Sequence, residues 1–267
     1  MKRALILAAL ALTACPERTP PERGIALTFK KPDETREIRA TVDRRLAHLK
    51  LKAHLSEDRT TFTARMPNGL DVERIKALLS KPGLLSFCEE NAELSRRVLC
   101  ERIWPEGIEV DRAKDTCSIA SISREKLQAA VDEADAGIKL VFEKVDARIS
   151  AYALAESSCF DPHIVGVEIR RDPIPGLMLE FDKNSAGQFN ALTAKTVGKH
   201  LLILVDGDVS SAPVVNEPID GKSAMLVLGR KDDLELMSAV FAGGALPKLE
   251  LVKEARYGPP SLSITGK

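Results

Sequence analysis

Four cysteines, Cys88, Cys100, Cys117 and Cys159, are the side chains of this sequence best suited to covalent or metal chemistry. A structural zinc site usually draws its thiolates from C-x-x-C pairs, often completed by histidine. No such pair occurs here, and no histidine lies near Cys88, Cys100 or Cys117. No metal and no cofactor is therefore expected. In an exported chain an even set of cysteines favours disulfides, although four cysteines allow three connectivities. The pairing taken forward is Cys100–Cys117 nested inside Cys88–Cys159. The inner link would enclose Trp104, and the outer would tie the end of an N-terminal sheet to the start of a C-terminal module. His48, His54, His163 and His200 are scattered, without the i, i+4 pair of a metalloprotease helix. Asp161-Pro162-His163 reads as a turn, because no G-x-S-x-G elbow accompanies it. Asp206-Gly207-Asp208, with Ser210 and Ser211, does not complete a calcium loop. Gly24, Gly69 and Gly83 build no phosphate cradle. No catalytic residues, and so no enzyme, are expected.

The fifth cysteine, Cys15, stands apart. Lys2 and Arg3 precede an apolar run over residues 4–12, and Leu12-Thr13-Ala14-Cys15 follows at once. A run this short is a signal-peptide core rather than a bilayer span of about 30 Å. Small residues before a cysteine resemble the lipobox of bacterial lipoproteins, in which the thiol is lipidated and the preceding peptide is removed. Acylation at Cys15, palmitate included, would hold the chain on a membrane without crossing it. Residue 16 is proline rather than the aspartate that favours inner-membrane retention, so the expectation leans to the outer membrane, facing the periplasm. Lys plus Arg and Asp plus Glu are both 39, which argues against nucleic acid as the main partner. At 4% aromatic residues the chain also lacks the stacking platforms of single-strand binders.

The elements that must position these residues read as follows. Residues 1–15 form the signal and 16–23 a proline-rich spacer. Residues 24–88 carry a βαββαβ pattern, the base module. Its first strand is at 25–29, and a helix buries Ile38, Val42, Leu46 and Leu49, with Asp33 as cap and Glu34 and Glu37 in the first turn. A hairpin spans 52–66, a second helix runs over 71–80, Pro82-Gly83 stops it, and a fourth strand covers 84–88. Residues 89–172 form a cysteine-bearing middle segment. There Ser123 caps a helix, and residues 138–142 and 149–154 are read as strands rather than as one helix. A similar alternation of strands and helices returns over 173–262, with a hairpin at 201–215 and a closing strand at 249–253. The fold class is α+β, two ferredoxin-like modules of the split-βαβ kind.

The C-terminal third carries a family pattern. Leu179-Glu180-Phe181-Asp182, Gly187-Gln188-Phe189-Asn190-Ala191-Leu192-Thr193 and Gly198-Lys199 are followed by Leu204-Val205-Asp206-Gly207. Val209-Ser210-Ser211-Ala212-Pro213-Val214, Ala242-Gly243-Gly244-Ala245-Leu246-Pro247 and Gly258-Pro259-Pro260-Ser261-Leu262 complete it. In order and spacing these segments resemble the first periplasmic domain of SecD, a subunit of the SecDF export machinery. Val42-Asp43-Arg44-Arg45-Leu46 and Ala64-Arg65-Met66-Pro67-Asn68-Gly69 fit the same family's N-terminal part.

The resemblance implies a base and a head, and a role in handling exported polypeptide or in contacting Sec translocase components. In SecD, membrane helices flank this domain, and the protein works with SecF to couple proton flow to export. Here a lipid-anchor signal stands in place of the first helix, and the sequence stops soon after Leu262. The expectation is a non-enzymatic lipoprotein that does no proton-driven work alone. An envelope-assembly or structural role on the same fold is the alternative, and an unrecognised hydrolase a third. Any binding is expected in the C-terminal module by strand addition, near the hairpin at 209–215 and Pro213.

Overall fold

The computed structural model describes residues 22–32, 38–113, 116–134, 139–145, 147–227 and 233–258. Cys15, the signal, most of the spacer, Asp33, Glu34, Glu37 and Ser261-Leu262 lie outside the described residues. In chain order the elements are β1 (Gly24–Lys30), α1 (Ile38–His48), β2 (His54–Glu57), β3 (Thr61–Pro67), α2 (Val72–Ser80) and β4 (Leu85–Glu90). The middle follows with α3 (Ala92–Ser95), a π-helical turn (Arg96–Cys100), β5 (Glu109–Ala113), β6 (Thr116–Ser121), α4 (Arg124–Ala134), β7 (Lys139–Val145) and β8 (Arg148–Phe160). The remainder is β9 (Ile164–Arg170), β10 (Gly176–Phe181), α5 (Lys183–Lys195), β11 (Leu201–Val205), β12 (Asp208–Ser211), β13 (Ser223–Leu226), α6 (Leu234–Gly243) and β14 (Glu250–Tyr257). The class is α+β, as the hydrophobic periods require.

The base is a four-stranded antiparallel sheet in the order β14-β1-β3-β2, backed by α1 and α2. This is the ferredoxin-like order, with one difference from expectation. The strand at 85–90 leaves the base sheet, and the C-terminal β14 takes the fourth place beside β1. The reason lies in the turn after α2. Gly83 adopts a positive φ of 75°, and the Asp206 carboxylate accepts from the N–H groups of Gly83 (2.7 Å) and Leu84 (2.9 Å). The chain is thereby steered to β11, which β4 pairs antiparallel, Leu202 opposite Cys88.

Both faces of β4 are then buried. Leu85 and Phe87 point to the head core, where Phe87 meets Phe160, Phe181 and Phe189 with ring centroids 4.9–5.8 Å apart. Cys88 and Glu90 point the other way. Among the described residues β4, β11, β12, β7 and β8 form a closed circuit, because β8 pairs with β7 through its first half and with β4 through its second. Val141, Tyr152, Leu154, Leu202, Leu204 and Val209 fill its interior. β6 and β5 extend the same sheet beyond β8. The segments at 139–145 and 148–160 are strands, alternating between this interior and a separate middle core. Ser123 caps α4, its hydroxyl accepting from the Lys126 N–H at 3.2 Å.

The strands of the C-terminal part are distributed among three sheets, with β14 in the base. β10 lies between β13 and β9, while β11 and β12 join the circuit. α6 binds base to head, since it is apolar on most sides. Leu236, Ala239 and Val240 enter the base core, and Met237 and Phe241 the head core.

Candidate functional site

The cysteines lie where their elements bring them. Cys88 and Cys159 face each other across β4 and β8 and are joined, with Cα atoms 4.1 Å apart. Cys100, at the end of the π-helical turn, is joined to Cys117 on β6, with Cα atoms 6.1 Å apart. Trp104 packs on the middle core and donates its indole N–H to the Leu99 carbonyl at 2.6 Å. Among the described residues no three His, Cys, Asp or Glu side chains come together as a metal site.

One constellation superficially resembles a hydrolase. His163 Nδ1 lies 3.2 Å from Asp182 Oδ2, and Ser185 is close to both. Its geometry is that of a helix cap. Asp182 accepts from the Ser185 N–H at 2.7 Å, while the buried Ser185 hydroxyl accepts from the backbone N–H of His163 at 2.8 Å. Hydrogen bonds from the backbone and hydroxyl of Ser185 hold the Asp182 pKa below its ordinary value. The imidazole contacts the carboxylate rather than the hydroxyl, so the serine–histidine contact of a nucleophile with its base is not formed here.

The edge expected near residues 209–215 is covered. β12 has β11 on one side and β7 on the other, with Val209 opposite Glu143. The Pro213 carbonyl is also taken, by the Leu201 N–H at 2.9 Å. The expectation of an open edge there is not met, and the alternative holds in which the cysteine-bearing middle segment covers it, through β7. The open edges of the head are elsewhere. The three-stranded sheet presents β13 on one side and β9 on the other, neither with a further strand among the described residues. β9 is Ile-Val-Gly-Val-Glu-Ile-Arg, with Val167 and Ile169 turned to the core and Val165 55% exposed.

A second feature escaped the sequence reading, which took Arg45 as a letter of a pattern. Arg45 is fully buried on α1. Its guanidinium donates to the carbonyls of Leu78 (2.8 Å), Lys81 (2.6 Å), Pro82 (2.7 Å) and Gly244 (2.7 and 3.2 Å). Lys81 and Pro82 lie where the chain leaves the base, and Gly244 where it returns. One side chain therefore grips both crossings between base and head. Burial lowers its pKa to about 10, against which the Asp206 charge acts in the opposite sense. Neighbouring glycines make the space. A Cβ on Gly243 would lie 2.3 Å from the Arg45 side chain, and one on Gly83 would lie 2.8 Å from its terminal nitrogen. Arg44 adds a hydrogen bond to the Gly243 carbonyl at 2.9 Å. A charged residue on the stripe of Ile38, Val42 and Leu49 was the available signal. The family-like segments at 42–46, 204–207 and 242–247, distant in sequence, thus meet at one joint.

Comparisons with known proteins bear on this architecture. Residues 161–248 match the family model described as SecDF, P1 head subdomain. Protein translocase subunit SecD of Acidaminococcus fermentans is 41% identical over 88 residues, which are 32% of this chain and 21% of that protein. Protein translocase subunit SecD of Desulfurispirillum indicum is 27% identical over 198 residues, 73% of this chain and 34% of its own length. The chain thus spans about a third or less of these curated relatives. Among solved structures, SecDF in its super-membrane-facing form aligns over 91% of this chain and 32% of that chain, with a TM-score of 0.58 at 16% identity. A further structure, described as a membrane component SecDF that enhances protein export, aligns over 85% of this chain and 98% of its own, with a TM-score of 0.54 at 16% identity. At such identity the likeness is one of fold. The chain is thus similar in sequence to SecD, over residues 161–248 to the P1 head subdomain, and similar in fold to SecDF.

Proposed function

We propose that this protein is a non-enzymatic periplasmic lipoprotein that binds exported polypeptide, or components of the Sec translocase, and so assists protein export. The observation that carries the reading is the match of residues 161–248 to the P1 head subdomain, on a module whose three-stranded sheet has no further strand beside β13 or β9 among the described residues. An open edge offers unpaired backbone groups to an extended chain, giving affinity with little sequence preference. The protein lacking its signal should hold unfolded secretory proteins at about micromolar affinity, within the usual range for such encounters, and ignore folded ones. Equal binding to both would sink the polypeptide-handling role.

Attachment belongs to the same reading. Cys15 is the proposed lipid site, and the outer membrane the proposed location. Among the described residues no helix is long and apolar enough to cross a membrane. Cys15→Ser should abolish both detergent partitioning and labelling by a fatty-acid analogue, and retention of both would refute the anchor.

An envelope-assembly role is the second reading, and one observation favours it. The hairpin edge at β12 is occupied by the chain's own β7, which removes one receptor surface. Cross-linking of the native protein to its neighbours separates the two, with Sec subunits and secretory chains on one side and envelope proteins on the other.

A further inference from the structure

The base sheet is asymmetric across its two faces. Leu27, Phe29, Phe62, Ala64 and Met66 pack inward on α1 and α2. The register places on the opposite face the rows Ser56–Thr63–Thr28–Lys253, His54–Arg65–Ala26–Ala255 and Thr61–Lys30–Glu250. Thr28 and Thr63 touch through their hydroxyls at 3.1 Å. Every side chain in these rows is half-exposed or exposed, and none joins a core cluster. The face holds three cations, Lys30, Arg65 and Lys253, against one acid, Glu250. Among the described residues none of the three cations is in an ion pair.

We infer that this open face lies against an anionic phospholipid surface. The composition favours lipid head groups over a protein. Stable protein interfaces centre on aromatic and large apolar side chains, whereas these three rows contain Ser, Thr, Ala, His and charged residues, with Tyr257 and Pro67 opposite Gly24 at one end of the same face. Flat hydroxyl-rich backbone with unpaired cations suits phosphate oxygens instead. The length of chain outside the structure gives the proximity. Eight residues, nine chain steps, separate Cys15 from Gly24, where β1 enters this sheet. Even fully extended, such a segment reaches about 30 Å at roughly 3.3 Å per residue. The inference rests on the proposed anchor for proximity, but not for the charge of the face. A net excess of two cations at an anionic bilayer predicts about a 30-fold preference over a neutral one, and screening by salt should erase it. Such a preference is too weak to recruit the protein alone. On a tethered protein it fixes which side of the base meets the membrane, and so turns the head outward.

The test uses the full chain carrying Cys15→Ser, so that acylation plays no part. Sedimentation with neutral phosphatidylcholine vesicles is compared with vesicles containing phosphatidylglycerol, at low and high salt. The expected result is about a 30-fold preference for the anionic vesicles at low salt. That preference should be lost in Lys30→Gln/Arg65→Gln/Lys253→Gln and kept in a control triple of exposed cations elsewhere, Arg39→Gln/Lys144→Gln/Lys183→Gln. Thermal unfolding of both triples checks that the fold survives. Equal loss in the two triples would mean a net-charge effect and overturn the assignment, as would wild-type binding that ignores lipid charge. Failure of the anchor is read separately, from detergent partitioning of the wild-type chain, and leaves this outcome standing.

Discussion

Arg45 and Glu90 are both buried charges at places where separate parts of the chain meet, and they are satisfied in opposite ways. Arg45 spends its guanidinium on five hydrogen bonds to four carbonyls and, among the described residues, forms no ion pair. Glu90 has one carboxylate oxygen 2.8 Å from His200 Nδ1, while the other is buried without a partner among the described residues. The first arrangement uses a charge to gather backbone from α2, from the outgoing turn and from the return after α6. The second leaves an acceptor unmet, which costs about 1 to 3 kcal/mol at a fully desolvated site. The difference teaches that burying a charge says little about stability until its partners are counted.

The largest effect should follow from removing the satisfied charge. Arg45→Met is expected to cost about 5 kcal/mol, since four buried carbonyls lose their donor together. Arg45→Lys should recover part of that, having three donors in place of the planar fork. Equilibrium denaturation in urea measures both, and a loss below about 1 kcal/mol for Arg45→Met would show that water replaces the guanidinium. Limited proteolysis at residues 81–84 and 244–249 should accelerate in parallel, because these are the two crossings that the side chain holds.

Next in size are the disulfides, which act on the unfolded chain rather than on buried partners. Cys88–Cys159 closes a separation of 71 residues and Cys100–Cys117 one of 17. In the chain-entropy model these loops contribute about 4 and 3 kcal/mol respectively. Paired Cys→Ala substitutions should lower stability in that order. Non-reducing peptide mapping of the mature protein should recover both links, and four free thiols would contradict them.

The unsatisfied charge should matter least among buried groups. Glu90→Gln keeps an acceptor for His200 and removes a formal charge from a site with one orphan oxygen. Stability should change by no more than about 1 kcal/mol, in the favourable direction. A loss comparable with that of Arg45→Met would mean that Glu90 is held by a partner outside the protein, and the comparison would fail.

How much of this was legible in the sequence follows from the range of each interaction. Asp71, Asp182 and Asp233 cap helices through N–H groups two or three residues away, so α2, α5 and α6 begin beside signals printed next to them. β7 and β8 showed their alternation locally as well. β4 did not reveal its sheet, because Leu85 and Phe87 face one core while Cys88 and Glu90 face another, and a strand buried on both sides carries no period that names its neighbours. The covered edge at β12 depended on β7, which lies some 65 residues earlier in the chain. Arg45 stood in view as a cation on an apolar stripe, but its partners lie 33 to 199 residues away. The family-like segments identified the module and left the joint between modules to be read from contacts.

An exposed carboxylate completes the comparison by showing what similar hydrogen bonding achieves when water competes. Asp58, at the turn between β2 and β3, accepts from the N–H groups of Thr60 (2.8 Å) and Thr61 (2.6 Å) and from the Thr61 hydroxyl (2.7 Å). These bonds, the Thr61 hydroxyl first, lower its pKa from 3.8 to about 2. The unfolded chain therefore takes up the proton before the folded one does. The carboxylate's contribution is complete above pH 3.8 and is lost as pH falls through about 2. Asp58→Asn keeps one acceptor at the turn but has nothing to titrate. Between pH 4 and pH 2 wild-type stability should consequently fall more steeply than that of the variant, while the two profiles run parallel at neutral pH. Because Asp58 is open to solvent the divergence should be the smallest of the effects considered, and hydrogen exchange at the Thr60 and Thr61 amides is the sensitive place to look for it. Parallel profiles down to pH 2 would show that the turn holds without its charge, and that hydrogen-bond count matters only where water is excluded.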